Sequence, residues 1–177
     1  MKLLEDAKSF VGNVVCIGVK NKDVLMALNK NKKASIFTID LTEKRKLFSS
    51  RKKANKIDGK KVNIKKLRKT FNKKSIDNLV YDLNEMYEYF KYFIGDSIII
   101  TKGKIYIYGT SKFIDPKILI NRYKRYNTKA FLEINGDSFT IIIDATKSKT
   151  NWLKNKFYLV VDTLHNIGDM ISAALIS

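Results

Sequence analysis

Four aspartates stand where apolar runs stop: Asp40, Asp82, Asp144 and Asp162. Carboxylates at strand ends can do two kinds of chemistry. Brought together, they can hold divalent metal ions for nuclease-type hydrolysis. Singly, an acid that ends the second strand of a strand–helix–strand unit can hold ribose hydroxyls. Asp40 suits the second use, because it lies about twenty residues beyond Gly18, the spacing expected between a ligand-binding turn and its ribose acid. Such aspartates also serve as turn formers and helix caps. A covalent nucleophile is missing from the pattern. The single cysteine, Cys16, falls within an apolar run and reads as core.

The elements needed to position these residues can be read from periodicity. Residues 14–19 form an apolar run of strand length ending around Gly18. Val24, Leu25 and Leu28 follow at helical spacing, and a second apolar run covers 36–39. Short β-branched runs separated by a helical pattern predict a βαβ unit with buried parallel strands. Residues 2–10 predict a short helix ahead of it, and Thr42 could cap a helix after Asp40. Leu79 to Tyr81 form a strand core that ends on Asp82. Residues 85–94 predict an aromatic helix stopped by Gly95.

Residues 97–109 predict a hairpin about Lys102-Gly103-Lys104, or one long bent strand. Asp115-Pro116 opens a helix to about Tyr126. Residues 130–145, interrupted by Asn135-Gly136-Asp137, predict a hairpin. Residues 157–161 are another apolar run, followed by a helix over 163–176.

The chain has 177 residues, a formal net charge of +18 and 45% hydrophobic residues, which fits a single domain, 1–177, with a sizeable core. One cysteine argues against a disulfide scaffold or a thiolate metal site and fits a reducing, cytoplasmic setting. The first residues lack a signal-peptide core, and no stretch reads as a membrane span. The charge attracts polyanions, nucleic acid first. Thirty lysines against five arginines is also what a base-composition bias would give.

The distribution of charge is not explained that way. Residues 44–74 hold fifteen cations and one acid, Asp58. Arg51, Lys52, Lys53, Lys60, Lys61, Lys65, Lys66, Arg68 and Lys69 are the candidate phosphate contacts in this basic segment, which otherwise reads as a solvated face.

In chain order, these elements resemble the class I S-adenosylmethionine-dependent methyltransferases. Val14-Val-Cys-Ile-Gly18 is similar to the family's first strand and the start of its glycine motif, here reduced to one glycine. Ile36-Phe-Thr-Ile-Asp40-Leu41 resembles the second strand with its ribose-binding acid. Ser75-Ile-Asp77-Asn-Leu-Val-Tyr-Asp82 resembles the fourth strand. The resemblance implies an α/β fold: a doubly wound, mostly parallel sheet with an antiparallel C-terminal hairpin and helices on both faces.

It also implies S-adenosylmethionine as cofactor, with Gly18, Lys20, Asp40 and Leu41 in its site and Asp82 and Asn84 as catalytic candidates at the active-site edge. No Asp/Asn-Pro-Pro-Tyr sequence follows the fourth strand, so methylation of base amino groups is not implied. A shorter stretch, Asp162 to Asp169 with His165 on the same helical face, resembles a zinc-binding helix of cation diffusion facilitators. It covers under twenty residues, and no metal is assigned to it.

The expected function is therefore a methyltransferase-like protein acting on nucleic acid, RNA before DNA, with a protein partner subunit as a further expectation. The alternatives are a non-catalytic nucleic-acid-binding protein, favoured by the single glycine, and a divalent-metal nuclease built on the strand-end aspartates.

Overall fold

The computed structural model describes residues 2–39, 55–57, 60–62, 64–86, 90–112, 115–126 and 128–148, with 153, 157, 158, 160 and 161. Eight strands are described: β1 Gly12–Ile17, β2 Ala34–Ile39, β3 Asn55–Ile57, β4 Lys60–Val62, β5 Ile76–Asp82, β6 Thr101–Thr110, β7 Lys129–Asn135 and β8 Ser138–Asp144. The helices are α1 Lys2–Ala7, α2 Lys22–Asn29, α3 Leu83–Met86, α4 Phe90–Ile100 and α5 Pro116–Lys124, with a 3-10 helix at Ile64–Lys69.

Six strands make one sheet in the order β2-β1-β5-β6-β8-β7, while β3 and β4 pair with each other alone. The first four in that order are parallel, and β8 and β7 are antiparallel. This is the expected doubly wound sheet with an antiparallel hairpin at its end.

Alternation along the strands divides the core into two layers. Val15, Ile17, Leu79, Tyr81, Ile105, Ile107, Ile141 and Ile143 face one side with Phe93 and Ile98 of α4 and Leu119 and Tyr123 of α5. Val14, Cys16, Val80, Tyr106, Tyr108 and Ile142 face the other, with Leu3 and Ala7 of α1 and Val24 and Leu28 of α2. Strands buried on both faces need apolar residues at every position, which is why β1 and β5 read as continuous runs.

Residues 85–100 differ from the sequence expectation. Gly95 does not stop the helix. α3 covers Leu83–Met86, and α4 runs from Phe90 through Gly95 to Ile100. Ile98 and Ile100 are β-branched and read as strand, but helix geometry lets both enter the core with Phe93 and Ile94. Tertiary burial outweighs a propensity difference that amounts to less than about 1 kcal/mol per residue.

The hairpin about Lys102-Gly103-Lys104 is absent as well. β6 is one long strand that carries an irregularity opposite Asp77, where the β5 register shifts between Ile76 and Asn78. A Cβ on Gly103 would run into the Asp77 carbonyl, so this glycine marks a bulge rather than a turn.

The second hairpin stands as expected, with its turn shifted by one residue. Asn135 pairs with Ser138, so Gly136 and Asp137 make the turn. Gly136 takes φ +58°, as the first position of a II′ turn requires.

Candidate active site

The strand order reverses at β1. From β1 the chain crosses through α2 to β2 on one side, and β5 lies against the other side. In open α/β sheets the space above the carboxyl ends of the two strands at such a reversal is a crevice that no crossover covers. Three pieces of chain end there: β1 at Ile17-Gly18, β5 at Asp82 and β6 around Tyr108-Gly109.

Gly18 leaves β1 with φ +64°, a left-handed conformation natural to glycine, and its N–H donates to the Ile39 carbonyl at 3.0 Å. This bond extends the β1–β2 ladder by one residue and fixes the turn. Asn21 then caps α2, its side-chain oxygen accepting from the N–H groups of Asp23 (3.0 Å) and Val24 (3.2 Å). The α2 N-terminus is thereby held at the rim.

On the β5 side, Asp82 is only 7% exposed although it is a carboxylate at a strand end. One carboxylate oxygen accepts from the Asn84 N–H at 2.9 Å. Burial pushes its pKa up to about 6. The Asn84 N–H opposes that shift, and the nearby Glu85 carboxylate adds to it. Asn84 closes the loop onto β6, its side-chain oxygen accepting from the Thr110 N–H (3.0 Å) and hydroxyl (3.2 Å). A Cβ on Gly109 would sit 3.0 Å from Leu83 Cβ, so glycine lets the two loops approach.

Two residues at this rim were missed by the sequence reading. Tyr108 is the register partner of Asp82 across β5 and β6 and is 7% exposed. Its hydroxyl interacts with the Asp82 carboxylate and the Asn21 backbone, and burial and that carboxylate raise its pKa. Glu85 accepts an ion pair from Lys20 at 2.7 Å, which joins the loops after β1 and β5 across the crevice. Both pairings depend on strand register and so are invisible in a linear pattern.

The structure thus brings Gly18, Lys20, Asp82 and Asn84 to one rim. Ile39 ends β2 on the same rim, and Asp40 and Leu41 lie outside the described residues. Cys16 is buried, with its thiol pushed up to about 12, which removes it as a nucleophile at neutral pH.

Of the four strand-end aspartates, Asp82 and Asp144 are among the described residues, and these two do not meet. Asp144 pairs with Lys104 near the start of β6, whereas Asp82 pairs with Tyr108 near its end, so the two lie on opposite rims. Their strands run antiparallel through the β6–β8 pair, which explains why both can end apolar runs without meeting. Asp162, His165 and Asp169 lie outside the described residues. Among the described residues no group of three His, Cys, Asp or Glu side chains is placed to hold a metal.

Of the basic segment, Arg51, Lys52 and Lys53 lie outside the described residues. Lys60 and Lys61 belong to β4, and Lys65 and Lys66 to the 3-10 helix. Arg68 Nε lies 3.9 Å from the buried Asp96 carboxylate, so this cation helps fasten the 3-10 helix to α4, while Lys69 is exposed. Among the described residues no helix is long and apolar enough to cross a membrane.

No protein-family model matches the chain, and no curated protein matches it significantly. Solved structures do share its fold. One is a protein assigned as an S-adenosyl-L-methionine-dependent methyltransferase from Methanococcus maripaludis, 14% identical with a TM-score of 0.54, the match covering 85% of each chain. Another is the T. thermophilus 16S rRNA N2 G1207 methyltransferase in complex with AdoMet and guanosine, 10% identical with a TM-score of 0.50. That match covers 85% of this chain and 40% of the other, so the chain spans less than half the length of that enzyme. Sheet order, antiparallel terminal hairpin and these likenesses together show that the chain has a class I S-adenosylmethionine-dependent methyltransferase-like Rossmann fold.

Proposed function

We propose that this protein binds S-adenosylmethionine above β1 and β5 and positions a nucleic-acid substrate, RNA before DNA, for methyl transfer. One observation carries the proposal: a buried carboxylate, Asp82, held at the strand reversal with its pKa pushed up to about 6. Buried titratable groups in such crevices are candidates for chemistry rather than for stability. The adjoining Tyr108 hydroxyl, buried against the Asp82 carboxylate, adds a polar group to the same rim.

Gly18 and Lys20 would hold the cofactor from the β1 side, and Asp40 and Leu41 from β2. The bound cofactor would supply an electrophilic methyl group. The protein's work is then alignment, which can contribute most of the rate gain in a two-body transfer. Asp82 would orient the attacking atom and take its proton, a role suited to an acceptor that is mostly ionised at neutral pH yet not strongly acidic. Asn84 would keep Asp82 in place through the bond to its carboxylate and the clamp on Thr110. The basic segment 44–74 would track phosphates.

A non-catalytic nucleic-acid-binding role is the second reading. It is favoured by the single glycine after β1 and by the Lys20–Glu85 bridge across the crevice. Calorimetry with S-adenosylmethionine and S-adenosylhomocysteine, followed by methyl transfer to RNA, separates the two. Micromolar cofactor binding together with transfer that Asp82→Asn abolishes supports the enzyme. RNA binding without cofactor binding at millimolar concentration supports the second reading and removes the first.

A further inference from the structure

The sheet ends on β7, whose outer side pairs with no other described strand. Gly136 and Asp137 make the turn to β8, so Asn135 and Ser138 exchange hydrogen bonds with each other. Alternation then sends the backbone groups of Lys129, Phe131 and Glu133 to β8, and those of Ala130, Leu132 and Ile134 to the open edge. Proline, a bulge or unmatched charge normally blunts such an edge. β7 holds no proline and pairs with β8 without a register shift. Phe131 is 54% exposed and Ile134 58%. The two charges of the strand, Lys129 and Glu133, stand symmetrically about Phe131.

Lys129, Phe131 and Glu133 share one face of the sheet, because Ala130 and Leu132 pack against the core layer on the other. On that face Lys104 of β6, Asp144 of β8 and Lys129 of β7 are successive register partners. Their charges alternate in sign, and the row stops at the edge on a cation. Glu133, two pairs further along, is held at the same edge. Its carboxylate accepts from the Lys2 N–H at 2.9 Å and from the Asn135 side-chain N–H at 3.3 Å.

We infer that β7 pairs with β7 of a second copy of this chain, antiparallel, about a two-fold axis at Phe131. In that register Lys129 lies opposite the partner's Glu133, and Glu133 opposite the partner's Lys129. Each charge row thereby gains its next member with alternation kept, a favourable cross-strand pairing made twice. Ala130 and the partner's Leu132 both turn their backbone groups outward, so they form a hydrogen-bonded pair. Phe131 meets the partner's Phe131 at a non-hydrogen-bonded position, where opposed side chains come closest. Moving the axis to Ala130 or to Leu132 sets Phe131 against a charged side chain, and moving it to Glu133 sets that carboxylate against its own copy. Charge complementarity therefore selects the axis at Phe131. An isologous contact of this kind closes on itself and needs no other partner. β6 and β8 separate β7 from the crevice strands, so the pairing stands independently of the cofactor reading.

Sedimentation velocity on the full chain at tens of micromolar and about 0.3 M salt, where repulsion between two bodies of charge +18 is screened, tests this inference. The expected result is a dimer that Phe131→Lys reduces to monomer. Phe131 is exposed, so this variant should keep its circular dichroism and melting temperature. Ala130→Pro is the second variant: it removes an N–H that faces the open edge, where an edge strand tolerates proline. Lys129→Glu and Glu133→Lys chains should each be monomeric alone and form a dimer when mixed. Under a mild oxidant, Phe131→Cys chains should link to one another, because non-hydrogen-bonded partners lie about 4.5 Å apart between Cα atoms, within reach of a disulfide. The native Cys16 is buried and does not compete. A chain that stays monomeric under these conditions overturns the inference, as does a dimer that Phe131→Lys and Ala130→Pro both leave intact. Charge variants that stay monomeric when mixed, or Phe131→Cys chains that do not link, overturn the axis at Phe131.

Discussion

Asp82 is subject to opposing forces. Burial disfavours its charge, and Glu85 adds repulsion, while the Asn84 N–H favours the ionised form. Its folded pKa, about 6, lies above the unfolded value of 3.8. The folded state therefore holds the proton more tightly, and stability falls as pH rises from about 4 through 6. Above that window the ionised group destabilises the fold. Asp82→Asn should raise stability by about 1–2 kcal/mol at pH 7.5, a figure reduced for the solvent that still reaches the site, and by almost nothing below pH 4. Thermal melts at the two pH values check this.

Opposite effects on activity and stability at one residue are what a functional carboxylate gives. Gly12 at the other rim is purely structural. It takes φ +73°, and a Cβ there would overlap the Asp77 carboxylate that accepts the Asn13 N–H at 2.8 Å. Gly12→Ala should cost about 2 kcal/mol or more, read by denaturant unfolding, without changing chemistry at the crevice.

Among the elements, α2 couples fold to site most directly, because it starts at the rim and packs Val24 and Leu28 under the sheet. Asn21→Ala removes the cap on two N–H groups and should cost about 1 kcal/mol. If cofactor binds beside this helix, calorimetry should also show weaker S-adenosylmethionine binding, since the turn from Gly18 loses its anchor. The βαβ unit that contains α2 was legible in the sequence because its strands are buried on both faces and its helix has one apolar stripe. The β7–β8 hairpin was legible because its turn needs a glycine.

Residues 97–100 were misread for a physical reason. Three consecutive isoleucines satisfy strand propensity and helix burial alike, and only the packing of α4 on the sheet decides between them. The site was legible by halves. Gly18 and Asp82 announce themselves as strand ends, whereas Tyr108 and Glu85 enter only once β6 lies beside β5 and the loop after β1 meets the loop after β5.

For the molecule as a whole, charge is the property that most distinguishes this chain, and salt is the variable that exposes its use. If residues 44–74 track phosphates, binding to single-stranded RNA must release counterions, and log K should fall linearly with log salt at about 0.7 per phosphate contacted. Replacing Arg51, Lys52 and Lys53 together with alanine should lower the slope by about 2 and weaken binding alike for all sequences. Replacing Arg68 should change the slope far less and the stability more, because Asp96 already engages its charge inside the fold.

The Asp82→Asn variant provides the control. It sits outside the basic segment, so it should keep the full RNA slope while losing methyl transfer. A lysine excess that came only from gene composition would spread its contacts over the surface. The triple replacement would then lower the slope no more than three cations removed from outside residues 44–74. Fluorescence anisotropy across a salt series distinguishes a phosphate track from a merely basic protein.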